Sequence, residues 1–265
     1  MLELKNIYKT FNPGTINEKV ALNGLNLTLN EGDFVTVIGG NGAGKSTMLN
    51  AVAGTWMVDE GQILIDGIDV TKLSEHKRAT YLGRVFQDPM TGTAATMGIE
   101  ENLALAKRRG KTRLLKPGIT KAERQEYKEL LKILGLGLED RLTSKVGLLS
   151  GGQRQALTLL MATLQKPKLL LLDEHTAALD PKTAAKVLEI TEMIVNRDHL
   201  TTMMITHNMQ SAIDLGNRIL MMDSGNIVLD IGGEEKKDMT VDGLLEKFKT
   251  GVGKALDNDR ILLSE

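Results

Sequence analysis

The sequence contains no cysteine, few aromatic residues and almost no net charge, and each of these absences narrows the range of functions. A chain without cysteine has no disulfide, thiolate zinc site or cysteine nucleophile, which is typical of a reducing compartment. Aromatic residues make up only 3% of the 265 residues, so a surface that stacks nucleic-acid bases is not expected. The 33 basic and 34 acidic residues nearly cancel, so no overall field attracts nucleic acid. We expect no nucleic-acid partner.

Long apolar runs are also missing. No run approaches the roughly 18 residues that a membrane-spanning helix needs. The first seven residues alternate like a strand and lack the apolar core of a signal peptide. Because 42% of the residues are hydrophobic, an ordinary aliphatic core is expected. We therefore expect a soluble cytoplasmic chain of one domain, or of one domain with a sizeable insertion.

The most informative stretch is residues 39–47, which match G-x-x-x-x-G-K-[ST], the pattern of loops that wrap the phosphates of a nucleoside triphosphate. A β-branched run at 34–38 predicts a buried strand before the loop, and 47–53 predicts a helix after it. The glycines allow several N–H groups to point at an anion, and the helix N-terminus adds its positive end. Lys45 would contact the β- and γ-phosphates, and Ser46 would bind Mg²⁺. The candidate nucleotide-binding residues of the loop are Gly39, Gly40, Asn41, Gly42, Ala43, Gly44, Lys45, Ser46 and Thr47.

Two further predicted strands end in polar side chains. Residues 169–172 are four leucines followed by Asp173 and Glu174, and residues 201–206 lead to His207. Acids at the carboxyl end of a central parallel strand would lie beside the phosphate loop. Asp173 would hold Mg²⁺ directly or through water, and Glu174 would act as general base on the attacking water. His207 is expected to contact the γ-phosphate.

The remaining patterns predict an α/β fold with a central, mainly parallel sheet. Residues 1–38 are predicted as strands, and 61–70 as a hairpin around Asp-Gly. The texture is helical from 88 to 165, where apolar residues from Tyr127 to Leu134 form one helix face that ends at Gly135. Towards the end of the chain we expect a hairpin between 218 and 231, a short helix near 241–248, and a poorly ordered tail after Gly251.

A dense basic run occupies residues 107–116, inside the helical region. It is consistent with a solvated loop, and also with attraction to anionic lipid or to an acidic partner. Changing these residues to neutral ones would test the second interpretation through membrane association.

The segment 149–153, Leu-Ser-Gly-Gly-Gln, opens another predicted helix. Ser150 suits an N-cap, and Gly151 and Gly152 permit the close approach of a ligand to bare N–H groups. Asp180 suits the cap of a later helix with Pro181 at its first position.

Together these motifs resemble the nucleotide-binding subunit of ABC (ATP-binding cassette) transporters, over about residues 1–235. The phosphate loop and the Asp-Glu strand are common to many NTPases, whereas 149–153 is the specific signal. Gln87 falls where the family has its Q-loop, His207 at the switch histidine and Asp180 in the D-loop. Phe11, with Tyr8 as the weaker alternative, falls where the family stacks an aromatic ring on adenine. His175 departs from the family, because Pro usually follows Asp-Glu.

The resemblance implies a P-loop NTPase core with an antiparallel β subdomain at 1–87 and 166–235, and an inserted helical subdomain at 88–165. A C-terminal helix and tail would follow at 236–265. It implies ATP and Mg²⁺ as cofactors, with Gln87 near the metal and the attacking water. Catalysis would depend on Glu174, His207, Gln87 and Lys45.

The family also implies a site that one chain does not complete. Two cassettes pair head to tail, so each ATP would lie between one chain's phosphate loop and Ser150, Gly151, Gly152 and Gln153 of the other. We expect a homodimer bound to transmembrane permease subunits on the inner face of the cell membrane, and an extracellular substrate-binding protein in the same system. Residues 151–164 and 173–178 look like a bacterial uptake branch, and this resemblance suggests an amino acid or a related small solute as the substrate. Export and a soluble, non-transport ABC clamp remain alternatives.

Overall fold

The computed structural model describes residues 1–111 and 118–252, with side chains described up to residue 249. The strands are β1 Leu2–Phe11, β2 Lys19–Leu29, β3 Phe34–Gly39, β4 Glu60–Ile65, β5 Ile68–Asp69, β6 Leu82–Val85, β7 Leu169–Asp173, β8 Thr202–Ile205, β9 Arg218–Asp223 and β10 Asn226–Gly232. The helices are α1 Lys45–Ala53, α2 Glu75–Arg78, α3 Ile99–Lys107, α4 Lys121–Lys132, α5 Gly151–Thr163, α6 Pro181–Asp198, α7 Met209–Asp214, α8 Glu234–Lys237 and α9 Val241–Val252, with a 3₁₀ turn at Val146–Leu148.

A mainly parallel sheet forms the centre of the molecule, in the strand order β10-β9-β3-β8-β7-β6. Only β10 runs antiparallel to its neighbour. The strands β3 and β8 are buried along their whole length, because helices cover one face of the sheet and α1 with the second sheet covers the other. The predicted fold class is confirmed.

A second, antiparallel sheet has the strand order β2-β1-β4-β5. Its apolar face shares one core with α1 and with one face of the central sheet. The predicted hairpin at 61–70 is the pair β4 and β5, whose turn has Asp66 at a φ of 54°. This packing places α1, and therefore the loop before it, between the two sheets.

The helical region contains α3, α4 and α5, and the buried residues Tyr127, Leu131 and Leu134 pack in its core. The predicted helix end at Gly135 is wrong by three residues, since α4 ends at Lys132. The chain goes on in tighter turns, with Leu134 N–H donating to Leu131 and Gly135 N–H donating to Lys132. Leu134 therefore reaches the core from a turn. The core is continuous with the central sheet, and the proposed subdomain boundaries remain predictions.

The basic run begins with two ion pairs to α4. Lys107 binds Glu126, and Arg108 Nη2 lies 2.7 Å from Glu123 Oε1. Burial lowers the pKa of Arg109. Residues 112–117, which carry the rest of the run, lie outside the described residues. The part that is described thus holds α3 against α4, and the membrane interpretation remains untested.

The last described elements pack on the edge of the central sheet. Leu244 and Phe248 of α9 contact a cluster that contains Ile219 and Met221 of β9. The predicted hairpin is the pair β9 and β10, and the predicted short helix is α9, which continues to Val252. The predicted tail lies, from residue 253, outside the described residues. Within the described part of the chain, no helix combines the length and the apolar character needed to cross a membrane.

Candidate nucleotide site

The phosphate loop connects the end of β3 to the start of α1. Gly39 and Gly44 have φ angles of 147° and 102°. A Cβ atom at Gly39 would lie 2.2 Å from the carbonyl oxygen of Met222, and one at Gly44 would lie 2.5 Å from that of Ala21. Both positions therefore require glycine, for the backbone angle and for the close approach of neighbouring backbone.

Lys45 is buried, and its ammonium group crosses back over the loop. Its Nζ donates hydrogen bonds to the carbonyl oxygens of Gly39 at 2.7 Å and Gly40 at 3.0 Å. These two glycines hold the lysine and do not line the cavity themselves. The carbonyl groups of the loop thus hold the ammonium group of Lys45, the one cation of the loop, in place.

The loop is also fixed from outside by the turn between β9 and β10. Gly225 N–H donates to the carbonyl oxygen of Ala43 at 3.0 Å, and Asn23 N–H donates to the carbonyl oxygen of Gly225 at 3.2 Å. The turn therefore bridges the phosphate loop and β2. The sequence predicted the hairpin but not this contact.

A cavity of about 200 Å³ opens over the loop. It is lined by Phe11, Lys19, Ala21, Asn41, Gly42, Ala43, Gly44, Lys45, Ser46, Thr47, Glu174 and His207. Lys19 and Ala21 were not among the predicted site residues. The alternating pattern predicted a strand from Ala21, whereas β2 begins at Lys19, whose side chain falls on the same face of the strand as Ala21.

The aromatic residue at the cavity is Phe11. Its ring meets that of Trp56, the only tryptophan of the sequence, edge to face at 4.9 Å between centroids. Tyr8, the weaker candidate for stacking on adenine, does not line the cavity and packs over Gly24 instead. Of the two candidates, Phe11 is thus the one that lines the cavity.

Glu174 and His207 meet at the carboxyl ends of β7 and β8, which are neighbours in the sheet. His207 Nε2 lies 2.5 Å from Glu174 Oε1, and His207 Nδ1 is buried without a hydrogen-bond partner in the described structure. Glu174 has a φ of 46°, and its N–H donates to Ile205. This backbone turn directs the carboxylate to the histidine and the cavity.

Asp173 ends β7 one residue earlier and does not line the cavity. Burial raises the pKa of its carboxyl group, while the guanidinium of Arg84 acts in the opposite direction. Arg84 Nη2 lies 3.9 Å from Asp173 Oδ2, which is beyond hydrogen-bonding distance. The carboxylate is thus largely buried beside a cation that it does not touch.

Gln87 is exposed just after β6, and it does not line the cavity. Its neighbourhood is tied to α5, because Gln155 Nε2 donates to the carbonyl oxygen of Phe86 at 3.2 Å and Arg154 contacts Met90. The segment that carries Gln87 is therefore attached to the helix that follows Ser150.

Ser150 is the N-cap of α5, as predicted. Its hydroxyl accepts from Gln153 N–H, and the Gln153 side chain accepts from Ser150 N–H, both at 3.3 Å. Ser150 and Gly151 are exposed, whereas Gly152 is buried against Thr183 of α6. None of the residues from 150 to 153 lines the cavity of its own chain.

Asp180 caps α6, as predicted, and accepts a hydrogen bond from Thr183 N–H at 3.1 Å. Hydrogen bonds from Thr183 lower the pKa of this carboxyl group. Like Ser150, Asp180 lies outside the cavity of its own chain.

His175 points away from the cavity. It is buried, and its Nε2 lies 3.0 Å from the hydroxyl of Thr191 on α6. Burial lowers the pKa of His175 from 6.5 to about 4, so the side chain is neutral at physiological pH. His175 therefore does not line the cavity and instead connects the segment after β7 to α6.

Comparison with known proteins gives a family match and close relatives. Residues 22–177 match the family described as ABC transporter. The tyrosine transport ATP-binding protein of Clostridioides difficile is 44% identical over 257 residues, which is 95% of this chain and 100% of that protein. The methionine import ATP-binding protein MetN of Rhizobium johnstonii is 37% identical over 78% of this chain, and the match spans only 56% of MetN.

Solved structures agree with the family match. A dimeric ATP-binding cassette in a post-hydrolysis state, bound to ADP and Pi, is 31% identical with a TM-score of 0.74, covering 88% of this chain and 98% of its own. An ABC transporter cassette in its ADP conformation is 27% identical with a TM-score of 0.75, covering 96% and 99%.

The resemblance inferred from the sequence is confirmed, and so are the predicted ATPase activity and the cofactors ATP and Mg²⁺. The chain belongs to the ABC transporter family, as an import-type ATP-binding subunit.

Proposed function

We propose that this chain powers the uptake of a small, amino-acid-like solute by hydrolysing ATP at a site built from Lys45, Glu174 and His207. The proposal is supported by the relatives, whose names refer to tyrosine transport and methionine import. We further propose that the chain works with permease subunits and an extracellular substrate-binding protein, at the inner face of the membrane.

The observation that carries the catalytic part is the Glu174–His207 pair in the cavity above the phosphate loop. Glu174 accepts the proton of the attacking water, and His207 orients that carboxylate through its Nε2. Lys45 contributes the positive charge beside the phosphates. Phe11 would stack on the adenine ring.

The metal would be held by Ser46 and Asp173, with Gln87 as the third candidate. Ser46 lines the cavity, and Asp173 is the last residue of β7, directly before Glu174. Hydroxyl and carboxylate oxygens are the hard ligands that suit Mg²⁺. A magnesium ion held by these residues would supply positive charge for the phosphate oxygens.

Ser150, Gly151, Gly152, Gln153 and Asp180 act in this proposal on the nucleotide of a second copy. Ser150 and Gly151 expose the N-terminus of α5, whose N–H groups suit a γ-phosphate. Leu148 beside them leaves 72% of its surface exposed, as expected for an apolar residue that a partner covers. An isologous homodimer makes two such composite sites.

The catalytic assignment is tested by Glu174→Gln, with Lys45→Ala as the comparison. Glu174→Gln should bind ATP normally and lose turnover by roughly a hundredfold or more, because the proton acceptor is gone. Lys45→Ala should lose ATP binding itself. Hydrolysis and the fluorescence of Trp56 on ATP addition measure the two effects. Substantial turnover in Glu174→Gln would contradict the general-base role.

The partners are tested by purifying the tagged chain from its native cells in mild detergent. A multi-spanning permease, together with a secreted binding protein, is the expected companion. Recovery with a ribosome or a DNA-repair factor instead would favour the soluble clamp, and a permease that drives export would overturn the direction.

A further inference from the structure

Arg84 is a largely buried residue of β6, near Asp173, which is one of the residues proposed to hold the metal. It pairs in register with Leu171 of β7, and Asp173 is two residues further along, on the same face. That face packs against α1, which begins with Lys45 and Ser46. This position brings a permanently charged side chain to the part of the nucleotide site that contains Ser46 and Asp173, which we call the metal side.

Both prongs of the guanidinium are occupied. Arg84 Nη2 donates to Asn50 Oδ1 at 2.7 Å, and Nη1 donates to the hydroxyl of Thr55 at 2.9 Å. Nη1 also lies 3.7 Å from the exposed carboxylate of Glu75. The guanidinium stacks on Phe86, with 4.5 Å from Cζ to the ring centroid, directly before Gln87. Asn50, Thr55 and Phe86 thus contact the group, whereas its Nε is buried without a hydrogen-bond partner among the described residues.

Arg84 fixes the orientation of Asn50. Because a guanidinium only donates hydrogen bonds, the Asn50 oxygen must face it, which leaves the amide nitrogen to face the other way. That nitrogen donates to the carbonyl oxygen of Ser46 at 2.8 Å. Hydrogen bonds therefore connect Ser46 through Asn50 to Arg84, whose guanidinium lies 3.9 Å from the carboxylate of Asp173 without a hydrogen bond to it.

We propose that Arg84 is a positioning residue for the metal side of the nucleotide site, holding Ser46 and Asp173 at a fixed separation and linking both to the strand before Gln87. The inference rests on the proposed roles of Ser46 and Asp173 as metal ligands. In this role Arg84 touches neither the nucleotide nor the metal. It acts like the residues of other metal sites that contact the ligands and fix their orientation.

The test measures metal binding directly. The chain is loaded with a non-hydrolysable ATP analogue and titrated with Mn²⁺ in place of Mg²⁺, with the free ion followed by electron paramagnetic resonance. Arg84→Gln should weaken Mn²⁺ binding roughly tenfold. Analogue binding without metal, followed by Trp56 fluorescence, should stay unchanged. Simple electrostatics predicts the opposite, since removing a nearby cation would strengthen the binding of a divalent ion.

Arg78→Gln is the matched control. Arg78 is also a buried arginine beside α1, but it donates to backbone carbonyl oxygens, among them those of Ala51 and Val52, and it does not face Asp173. It should lower the Tm and leave Mn²⁺ affinity unchanged. Equal or tighter Mn²⁺ binding in Arg84→Gln would overturn the inference.

Three more variants separate the remaining explanations. Arg84→Lys keeps the charge but not the fork, so Mn²⁺ affinity should stay low; full recovery would show that charge alone matters and would overturn positioning. Asn50→Ala breaks the same series of hydrogen bonds from the other side, should also weaken Mn²⁺ binding, and serves if Arg84→Gln fails to fold. Asp173→Asn tests the ligand assignment itself: Mn²⁺ affinity that persists there would refute the proposed metal site, independently of Arg84.

Discussion

At the scale of single residues, His175 is the clearest departure from the family, and it has a consequence for acid stability. Its pKa is lowered to about 4 by burial, so the unfolded chain takes up the proton near pH 6.5 while the folded chain does not. The buried histidine therefore leaves the free energy of unfolding unchanged above pH 6.5. It lowers that free energy increasingly as the pH falls from 6.5 to 4, and by a constant amount below pH 4.

We therefore expect wild type to lose on the order of 2 kcal/mol more free energy of unfolding between pH 7 and pH 5 than His175→Gln does. Glutamine can keep the hydrogen bond to Thr191 and does not titrate. Urea unfolding at both pH values measures the difference. Parallel losses in the two proteins would show that His175 is not the group responsible.

Lys19 is the second residue of interest at this scale. Its Nζ lies 3.1 Å from the point where Gly42 would carry a Cβ atom, so an exposed cation lies against the phosphate loop. Lys19→Met should raise KM for ATP by up to roughly fivefold with kcat unchanged, because the cation favours bound nucleotide and transition state equally.

The effect of Lys19→Met should shrink at high salt, since the cation is exposed. Lys5→Met, at an exposed ion pair with Glu3, is the control and should leave KM unchanged. A change in kcat instead of KM would assign Lys19 to the chemical step.

Site residues that belong to a short motif or to the end of a predicted strand could be identified from the sequence. Those whose place in the site depends on where an element begins could not. Glu174 and His207 come just after β7 and β8, and Lys45 begins α1 after the loop that follows β3; the three line one cavity because these strands belong to the same sheet. Lys19 was missed because β2 begins two residues before its alternating pattern does. Arg84 offers no local signal, since its role depends on contacts with Asn50 and Thr55 about 30 positions away.

At the scale of elements, the N-termini of α5 and α6 are packed closely. A Cβ atom at Gly152 would lie 2.1 Å from Cγ2 of Thr183, and one at Gly151 would lie 3.1 Å from Leu179. The two glycines thus serve this contact within the chain, in addition to the open N–H groups that the sequence indicated.

Gly152→Ala should destabilise the fold by about 1–3 kcal/mol, because the added methyl group overpacks the contact with Thr183. Thr183→Ala in the same chain should restore most of the loss, and thermal unfolding of the four proteins of this cycle measures the coupling. If the losses of stability from the two substitutions were additive, the strain in Gly152→Ala would not arise from the contact with Thr183.

Element types were predicted better than element ends. α4 stops at Lys132 although its apolar pattern continues to Leu134, because tight turns place that leucine in the same core as a helix would. Periodicity reports which side chains are buried, and here it extended past the last helical hydrogen bond. The strand β1, by contrast, lies within the predicted strand region and runs without a break from Leu2 to Phe11, with shifts of register along its length.

At the scale of the whole molecule, the separation of Ser150 from the cavity of its own chain leads to a complementation test. A mixture of Lys45→Ala chains and Ser150→Arg chains should form heterodimers in which one site carries both changes and the other carries neither. Random pairing restores roughly a quarter of the sites, although each variant alone has none.

Recovery of ATP hydrolysis on mixing, at a level set by the fraction of heterodimers, is the expected result. Equal mixtures of each variant with buffer serve as the baseline, and cross-linking of differently tagged chains verifies that heterodimers form. Heterodimers without recovery would mean that each chain completes its own site. The sequence pattern of one chain does not determine whether two chains share a site, because pairing depends on a surface that contacts the other copy.

The hydrogen bonds that join Gly225 to Ala43 and Asn23 have a consequence for how the chain tolerates change. Hairpin turns are usually the places where insertions are accepted most easily. This one braces the phosphate loop, so a residue added between 223 and 226 would loosen the loop some 180 positions earlier in the chain. Such an insertion would leave both sheets folded while increasing the entropy lost when nucleotide binds, and natural variation in length should avoid this turn.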